Sequence, residues 1–348
     1  MNNHLVDVFS KSKHIAIIGQ KGIPAEFPGT SGVEFYVEKR AITHVGHGKK
    51  VDCYVRNWAT PKQLTSYQGI SLIHVPTIPT KHLDAVTHSF LSSIHACFSG
   101  ADTIWYQASG PALFCWIPKL FGKRIIVTIH TLEWKREKWG VIARTLLRYG
   151  ERVGARCADT LLVVSPALRD HIYQTYKKDS FVEGPRAQRQ KPTPPRLITE
   201  QFGLKGNDYF LYLGRFVPEK RIEWLIQAYR QLRPKKIKLI IAGGSTYDRT
   251  YEEYIRRLAN NDPDIVFTGW VFGDLKRELL SNTRLFVLPS SIEGDPVTYA
   301  EVCARDKRCL VSDCVSTRNT HTSLFDSDSY DSFINALSQG LTSRSLQP

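Results

Sequence analysis

The chain has 348 residues, 42% of them hydrophobic, and a formal net charge of +14. That length fits two domains of ordinary size, and the hydrophobic share excludes disorder as the default state. The basic balance favours a polyanionic partner such as nucleic acid, an anionic lipid surface or a phosphorylated small molecule, and charge alone does not choose among them.

In chain order, His14–Gly19 is an apolar run ending in glycine and predicts a first parallel strand. A loop bearing Gly22, Gly29 and Gly32 follows, then a helix over Val33–Gly46 and a second strand over Lys50–Val55. Further strands are expected at Thr103–Tyr106, Arg124–His130 and Thr160–Ser165. The most apolar stretch, Thr103 to Phe121, is interrupted by Gly110, Pro111 and Pro118 and is too broken for a spanning helix. Residues 177–200 are rich in lysine, arginine and proline and read as a linker. Beyond it the rhythm restarts, with strands at Tyr209–Gly214, Lys238–Gly244, Ile265–Gly269, Leu285–Pro289 and Cys309–Asp313 and a helix at Ile222–Leu232. Strands alternating with helices imply two Rossmann-like, doubly wound α/β domains, with a ligand cleft expected between their strand ends. The expected boundaries are 1–176, a linker over 177–200, and 201–348. The scattered cysteines, with no Cys-x-x-Cys, read as reduced thiols without a disulfide framework or zinc site. No secretory apolar segment opens the chain, so a soluble cytoplasmic protein is expected.

Two segments carry chemistry. One is Glu293-Gly294-Asp295-Pro296-Val297-Thr298-Tyr299-Ala300-Glu301; the other is Gly214-Arg215-Phe216-Val217-Pro218-Glu219-Lys220. A nucleotide-diphosphate sugar needs fixed cations for its diphosphate and ionised acceptors for its hydroxyls, which arginine, lysine and glutamate supply. Paired glutamates also serve glycoside hydrolysis. On one helix, however, this spacing separates the backbones by about 12 Å, whereas a retaining hydrolase needs carboxyl groups about 5 Å apart. The pair therefore suits two contacts along an extended ligand. Gly29 and Gly32 precede a helix start, where backbone can approach a phosphate, although many such turns need glycine for steric reasons alone. His130 ends a strand, a place for either a structural or a site histidine.

These segments, with Gly19-Gln20-Lys21-Gly22-Ile23-Pro24-Ala25 and His130-Thr131-Leu132-Glu133-Trp134, resemble the family 4 glycosyltransferases of the GT-B fold over roughly residues 13 to 313. The N-terminal part is similar to the rhamnosyltransferase-like branch of bacterial polysaccharide assembly. The resemblance implies a retaining transferase of the hexosyl or rhamnosyl type. Its donor is a nucleotide-diphosphate sugar, its acceptor a saccharide or polyprenyl-linked lipid, and it needs no metal or other cofactor. By the same resemblance, Gly29, Gly32, Arg215 and Lys220 hold the diphosphate, and Gly243, Val271 and Glu301 the nucleotide and ribose. Glu293 contacts the transferred sugar, the backbone of Gly294, Asp295, Pro296 and Val297 lies along it, and His130 lines the reaction centre. Asp295 departs from the family pattern, which has an apolar residue there.

Lys135, Arg136 and Lys138 precede Arg144, Arg148, Arg152 and Arg156, the last four on one helical face. This is either a solvated face or a peripheral contact with anionic membrane. No zinc-finger or RNP pattern accompanies it, so nucleic-acid binding is not expected. Asp262-Pro263-Asp264 and Asp326-Ser327-Asp328 read as polar turns rather than metal sites. Glu183-Gly184-Pro185 stands where the family has an Asn-Gly-Val turn, and Cys314–Ser323 reads as shorter than the family loop. These departures leave open a catalytically inactive GT-B binding or scaffold protein, and a sugar-nucleotide epimerase is a further same-fold alternative.

Overall fold

The computed structural model describes residues 8–78, 80, 83–136, 139–184, 189–245, 249–315 and 321–342. It divides into two compact units, Met1–Gly184 and Pro185–Pro348.

The first unit runs β1 (His14–Ile18), α1 (Gly32–Gly46), β2 (Lys50–Arg56), β3 (Ser66–Tyr67), β4 (Ile70–Val75), α2 (Leu83–Phe98) and β5 (Thr103–Gln107). It continues through α3 (Ser109–Ala112), α4 (Trp116–Leu120), β6 (Arg124–Ile129), α5 (Val141–Cys157), β7 (Thr160–Val163), α6 (Pro166–Tyr176) and β8 (Phe181–Val182). Its sheet has the order β3-β4-β2-β1-β5-β6-β7-β8, parallel throughout except for the β3–β4 pair. Ile15–Ile18 and Ile104–Tyr106 are fully buried because helices cover both faces of the sheet. One face packs Ala96, Ala112, Cys115 and Ala155 from α2 to α5 and their connections; the other packs Tyr36, Val37 and Ala41 of α1. Strand order reverses between β1 and β5. There the backbone leaving β1 presses on β5: Gly19 has φ +121°, and a Cβ on it would stand 2.5 Å from the Gln107 carbonyl oxygen.

The second unit runs α7 (Leu197–Phe202), β9 (Tyr209–Leu213), α8 (Ile222–Leu232), β10 (Lys238–Ala242), α9 (Thr250–Ala259) and β11 (Ile265–Gly269). It closes with α10 (Gly273–Asn282), β12 (Leu285–Leu288), α11 (Val297–Cys303), β13 (Cys309–Ser312), β14 (Thr322–Phe325) and α12 (Tyr330–Thr342). The sheet order β11-β10-β9-β12-β13-β14 is parallel and doubly wound, with its reversal between β9 and β12. Phe333 and Leu337 of α12 are buried in this unit's core.

The segment 177–200 is not bare linker. Phe181 and Val182 pair with β7, and the Glu278 carboxylate accepts the Arg196 and Ile198 amides at 2.9 and 3.1 Å, fixing the start of α7. Glu183 is buried and pairs with Arg40 at 2.7 Å; Pro185 lies outside the described residues, as does 316–320 within Cys314–Ser323. Both Asp-x-Asp triplets are turns closed by their own first carboxylate: Asp262 accepts the Asp264 amide at 3.0 Å and Asp326 the Asp328 amide at 2.9 Å. Among the described residues no helix is long and apolar enough to cross a membrane; Thr103–Phe121 resolves into β5, α3 and α4.

Candidate functional site

In each unit most of the expected residues lie in segments that follow strand ends, and Arg215, Lys220 and Glu293 follow the two strands between which the order of the second sheet reverses, the place where open α/β sheets leave a crevice.

In the first unit, His130 directly follows β6. Its Nε2 lies 2.9 Å from Gln107 Oε1 at the end of β5, and its ring meets Tyr36 of α1 edge-on at 5.1 Å. With the proton on Nε2 the ring donates to Gln107 and keeps Nδ1 as an acceptor. Burial pushes its pKa down to about 4, partly opposed by the Glu34 carboxylate, so the imidazole is neutral at pH 7. Glu34 sits in the first turn of α1 and reaches back to the Ser31 amide at 2.7 Å and the Ser31 hydroxyl at 2.5 Å. It also accepts the Lys21 amide at 3.0 Å. Burial works against its charge, but Lys21 and these donors outweigh it and hold the carboxyl below its ordinary value. Gly29 has φ +94°, a left-handed conformation that favours glycine. Its carbonyl accepts the Lys21 ammonium at 2.7 Å. Gly32 opens α1. The glycine loop is thus tied by Lys21 to a buried anion beside His130.

In the second unit, Arg215 and Lys220 follow β9, and Glu293 follows β12. The Ser291 amide donates to the Glu219 carbonyl at 2.9 Å, which joins the two loops, and across that join the Lys220 ammonium pairs with the Glu293 carboxylate. Arg215 is half-buried, its carbonyl accepting the Tyr212 hydroxyl at 2.8 Å. Gly294, Asp295, Pro296 and Val297 are half-buried and lead into α11. Pro296 has no N–H, and its carbonyl accepts the Ala300 amide at 3.1 Å, so it shapes the loop and donates no backbone hydrogen bond. The first-turn amides of α11, beginning with Val297, have no partner within the helix. Glu301, about one turn into α11, is held by Lys276 of α10, whose ammonium lies 2.9 and 2.8 Å from its two oxygens. Gly243, at the end of β10, has φ +131°, and a Cβ there would stand 1.8 Å from the Gly214 carbonyl oxygen. Backbone crowding therefore requires glycine whether or not a nucleotide is present. Val271 is buried just after β11.

Sequence reading did not single out Glu34, Tyr36, Gln107 or Lys276. Glu34 closes a capping box with Ser31, a signal that the local sequence offers; the partners of Tyr36, Gln107 and Lys276 lie on other elements, and only the fold brings them together. Lys276 and Glu301, for instance, meet because α10 packs on α11.

The basic segment forms the end of a 3-10 turn (Glu133–Lys135) and α5. Arg144, Arg148, Arg152 and Arg156 are all exposed, with Arg148 stacked 4.4 Å over Trp134 and Lys135 at 5.6 Å from the same ring. Lys138 lies outside the described residues. Trp134, His171 and Tyr176 all bond to Glu151, the buried anion beneath this stripe, at 3.1, 2.9 and 2.8 Å.

Comparison with known proteins agrees with this architecture. Residues 30–181 match the family model described as "Glycosyltransferase Family 4", and residues 207–343 match "Glycosyl transferases group 1". The alpha-maltose-1-phosphate synthase of Mycolicibacterium smegmatis is 24% identical over 216 residues, 56% of this chain and 54% of the relative. The alpha-D-kanosaminyltransferase of Streptomyces kanamyceticus is 24% identical over 234 residues, 61% and 59% of the two chains. The chain thus spans between half and three-fifths of the length of these curated relatives. Among solved structures, sucrose-phosphate synthase of Thermosynechococcus elongatus superposes with a TM-score of 0.78 at 18% identity, covering 94% of this chain and 89% of the other. Anabaena HepE in complex with UDP and glucose gives 0.74 at 16% identity, covering 95% and 90%. The two family models together cover most of the chain, and it belongs to the family 4 glycosyltransferases, built on the GT-B fold.

Proposed function

We propose that this protein transfers a hexosyl or rhamnosyl residue from a nucleotide-diphosphate sugar to a saccharide or polyprenyl-linked acceptor in cell-surface polysaccharide synthesis. The observation that carries the reading is the Lys220–Glu293 pair at the reversal point of the second sheet, with Glu301 held by Lys276 nearby. Arg215 and Lys220 take the diphosphate as charge-assisted donors. Glu293, released from sole duty to Lys220, accepts sugar hydroxyls. Glu301 accepts the ribose hydroxyl pair, Gly243 and Val271 border the nucleotide, and the backbone from Gly294 to Val297 follows the sugar. Gly29 and Gly32 of the first unit are assigned to the diphosphate by the family resemblance. HepE, whose structure holds UDP and glucose, binds a ligand of this class.

In the reaction the bond from the anomeric carbon to the β-phosphate oxygen breaks and a bond to the acceptor hydroxyl oxygen forms. The acceptor proton passes to the departing phosphate, and the configuration is retained. Neutral His130 orients hydroxyls rather than donating a full proton. The cations at the diphosphate make a metal unnecessary, so chelation with EDTA is expected to leave the rate unchanged. We place the protein in the cytoplasm, with Lys135, Arg136, Lys138, Arg144, Arg148 and Arg152 in peripheral contact with anionic membrane. The test is incubation with candidate sugar nucleotides and membrane-extracted acceptors, followed by NMR of the product's anomeric carbon. Transfer with retention supports the reading; nucleotide binding without transfer to any acceptor would assign the chain to the inactive binding proteins instead.

A further inference from the structure

α2 is built inside out for a helix in water. It turns Asp84, His88, Ser89, Ser92 and Ser93 inward, and Leu83, Val86, Phe90, Leu91, Ile94 and Phe98 outward at 36 to 77% exposure. The outward positions recur at three- and four-residue steps, so they form one stripe. The inward face is bonded in part: Asp84 pairs with Arg56 at 3.0 Å and Ser93 bonds the Tyr106 hydroxyl at 2.7 Å, while Ser92 Oγ and both ring nitrogens of His88 are buried without a hydrogen-bond partner among the described residues. The two bonds at Asp84 and Ser93 hold the helix in this orientation. Between Ala85 and Ala101 there is no Asp, Glu, Lys or Arg.

The apolar surface continues onto the neighbouring helix. Phe98 meets Phe121, and Phe90 meets Phe114, each edge-on at 5.5 Å. Trp116, Leu120 and Phe121, in and just after α4, are 48, 76 and 55% exposed. A continuous exposed apolar surface of this kind marks an interaction site.

Charge identifies the occupant. α4 packs against both α2 and α5, and α5 carries exposed arginines at 144, 148, 152 and 156 beside exposed Val141, Ile142, Leu146 and Tyr149. Lys119 of α4 neutralises Asp159, the acidic group just after α5. An uncharged aromatic and aliphatic ridge with a cationic margin matches acyl chains beside anionic headgroups. A second copy of the chain would bring a like arginine margin. We propose that the outer face of α2 and α4 enters the interfacial layer of an anionic bilayer, with the α5 arginines on its headgroups. This deepens the membrane contact proposed above by assigning the inserted surface, and it holds whether or not the transferase reading does.

The test is flotation of the full chain with vesicles of pure phosphatidylcholine and of phosphatidylcholine mixed equally with phosphatidylglycerol. Wild type is expected to float with the mixed vesicles. The double variant Phe98→Asp, Leu120→Asp is expected to lose binding by roughly 100-fold or more at every salt concentration. Replacing Arg144, Arg148 and Arg152 by Gln is expected to weaken binding about fivefold per residue at low salt and to flatten its salt dependence. All these side chains are exposed, so both variants should keep the wild-type circular dichroism and the wild-type nucleotide affinity, which separates failure here from failure of the donor site. The proposal is overturned if wild type floats with neither vesicle, or if the Phe98/Leu120 variant floats as well as wild type. It is equally overturned if wild type is a dimer that this variant splits without any change in flotation, since a second copy would then be the occupant.

Discussion

At the scale of single residues, the site is a set of ions held by other ions. Glu301 is fixed by Lys276, and the fixed carboxylate is what a ribose would meet. Replacing Lys276 by Met is expected to leave Glu301 unanchored, weaken UDP binding about tenfold and shrink the preference for UDP over 2′-deoxy-UDP. A purely structural lysine would lower both affinities equally and leave that preference intact. His130 gives a second expectation. Its pKa of about 4 means that the activity of the wild type should show no histidine titration near pH 6.5. His130→Ala should lower kcat about 100-fold with little change in donor KM; an equal loss in KM would make it a binding residue. Arg215, Lys220, Glu293, Glu301 and His130 were nameable as candidates from spacing, strand ends and the family resemblance. Lys276 was not, because nothing local marks a lysine whose partner stands on the next helix.

At the scale of elements, the backbone of the second unit is set by close approach at strand ends. Gly243→Ala would drive a methyl into the Gly214 carbonyl at a φ that L residues avoid. It is expected to destabilise the unit by about 3 kcal/mol or more, read as a lower midpoint in urea, and an unchanged midpoint would contradict this account of the crowding. Central strands such as β1, β5 and β9 were legible because burial on both faces leaves near-continuous apolar runs. β4 and β14 were missed for the converse reason: Ser71, Ile73 and His74 of β4 are only half-buried and Ser323 and Leu324 of β14 are exposed, so no clean apolar run marks them. α2 went unread because periodicity is used to find the face a helix buries, and here the apolar face is the exposed one.

At the scale of the whole molecule, the two units carry different liabilities. The first buries His44 and His88, each with its pKa pushed down to about 3, as well as His130. The unfolded chain binds a proton at each near pH 6.5 while the folded unit does not, so stability falls as pH drops below about 6.5 and the penalty is complete only below the folded values. For His130 alone the full effect is about 3 kcal/mol. Melting followed by circular dichroism from pH 7.5 to 5 should show a steady fall in the first transition, and a transition flat across that range would contradict the burial of these rings as neutral imidazoles. The central claim concerns the second unit, whose Lys220–Glu293 and Lys276–Glu301 pairs are taken as a donor site. The most direct measurement is calorimetric titration of the full chain with UDP, GDP and dTDP, beside Arg215→Ala and Glu301→Ala. The account expects one diphosphate to bind, with affinity lost chiefly in Arg215→Ala and reduced in Glu301→Ala; no heat with any of the three, from a protein whose circular dichroism shows it folded, would contradict it.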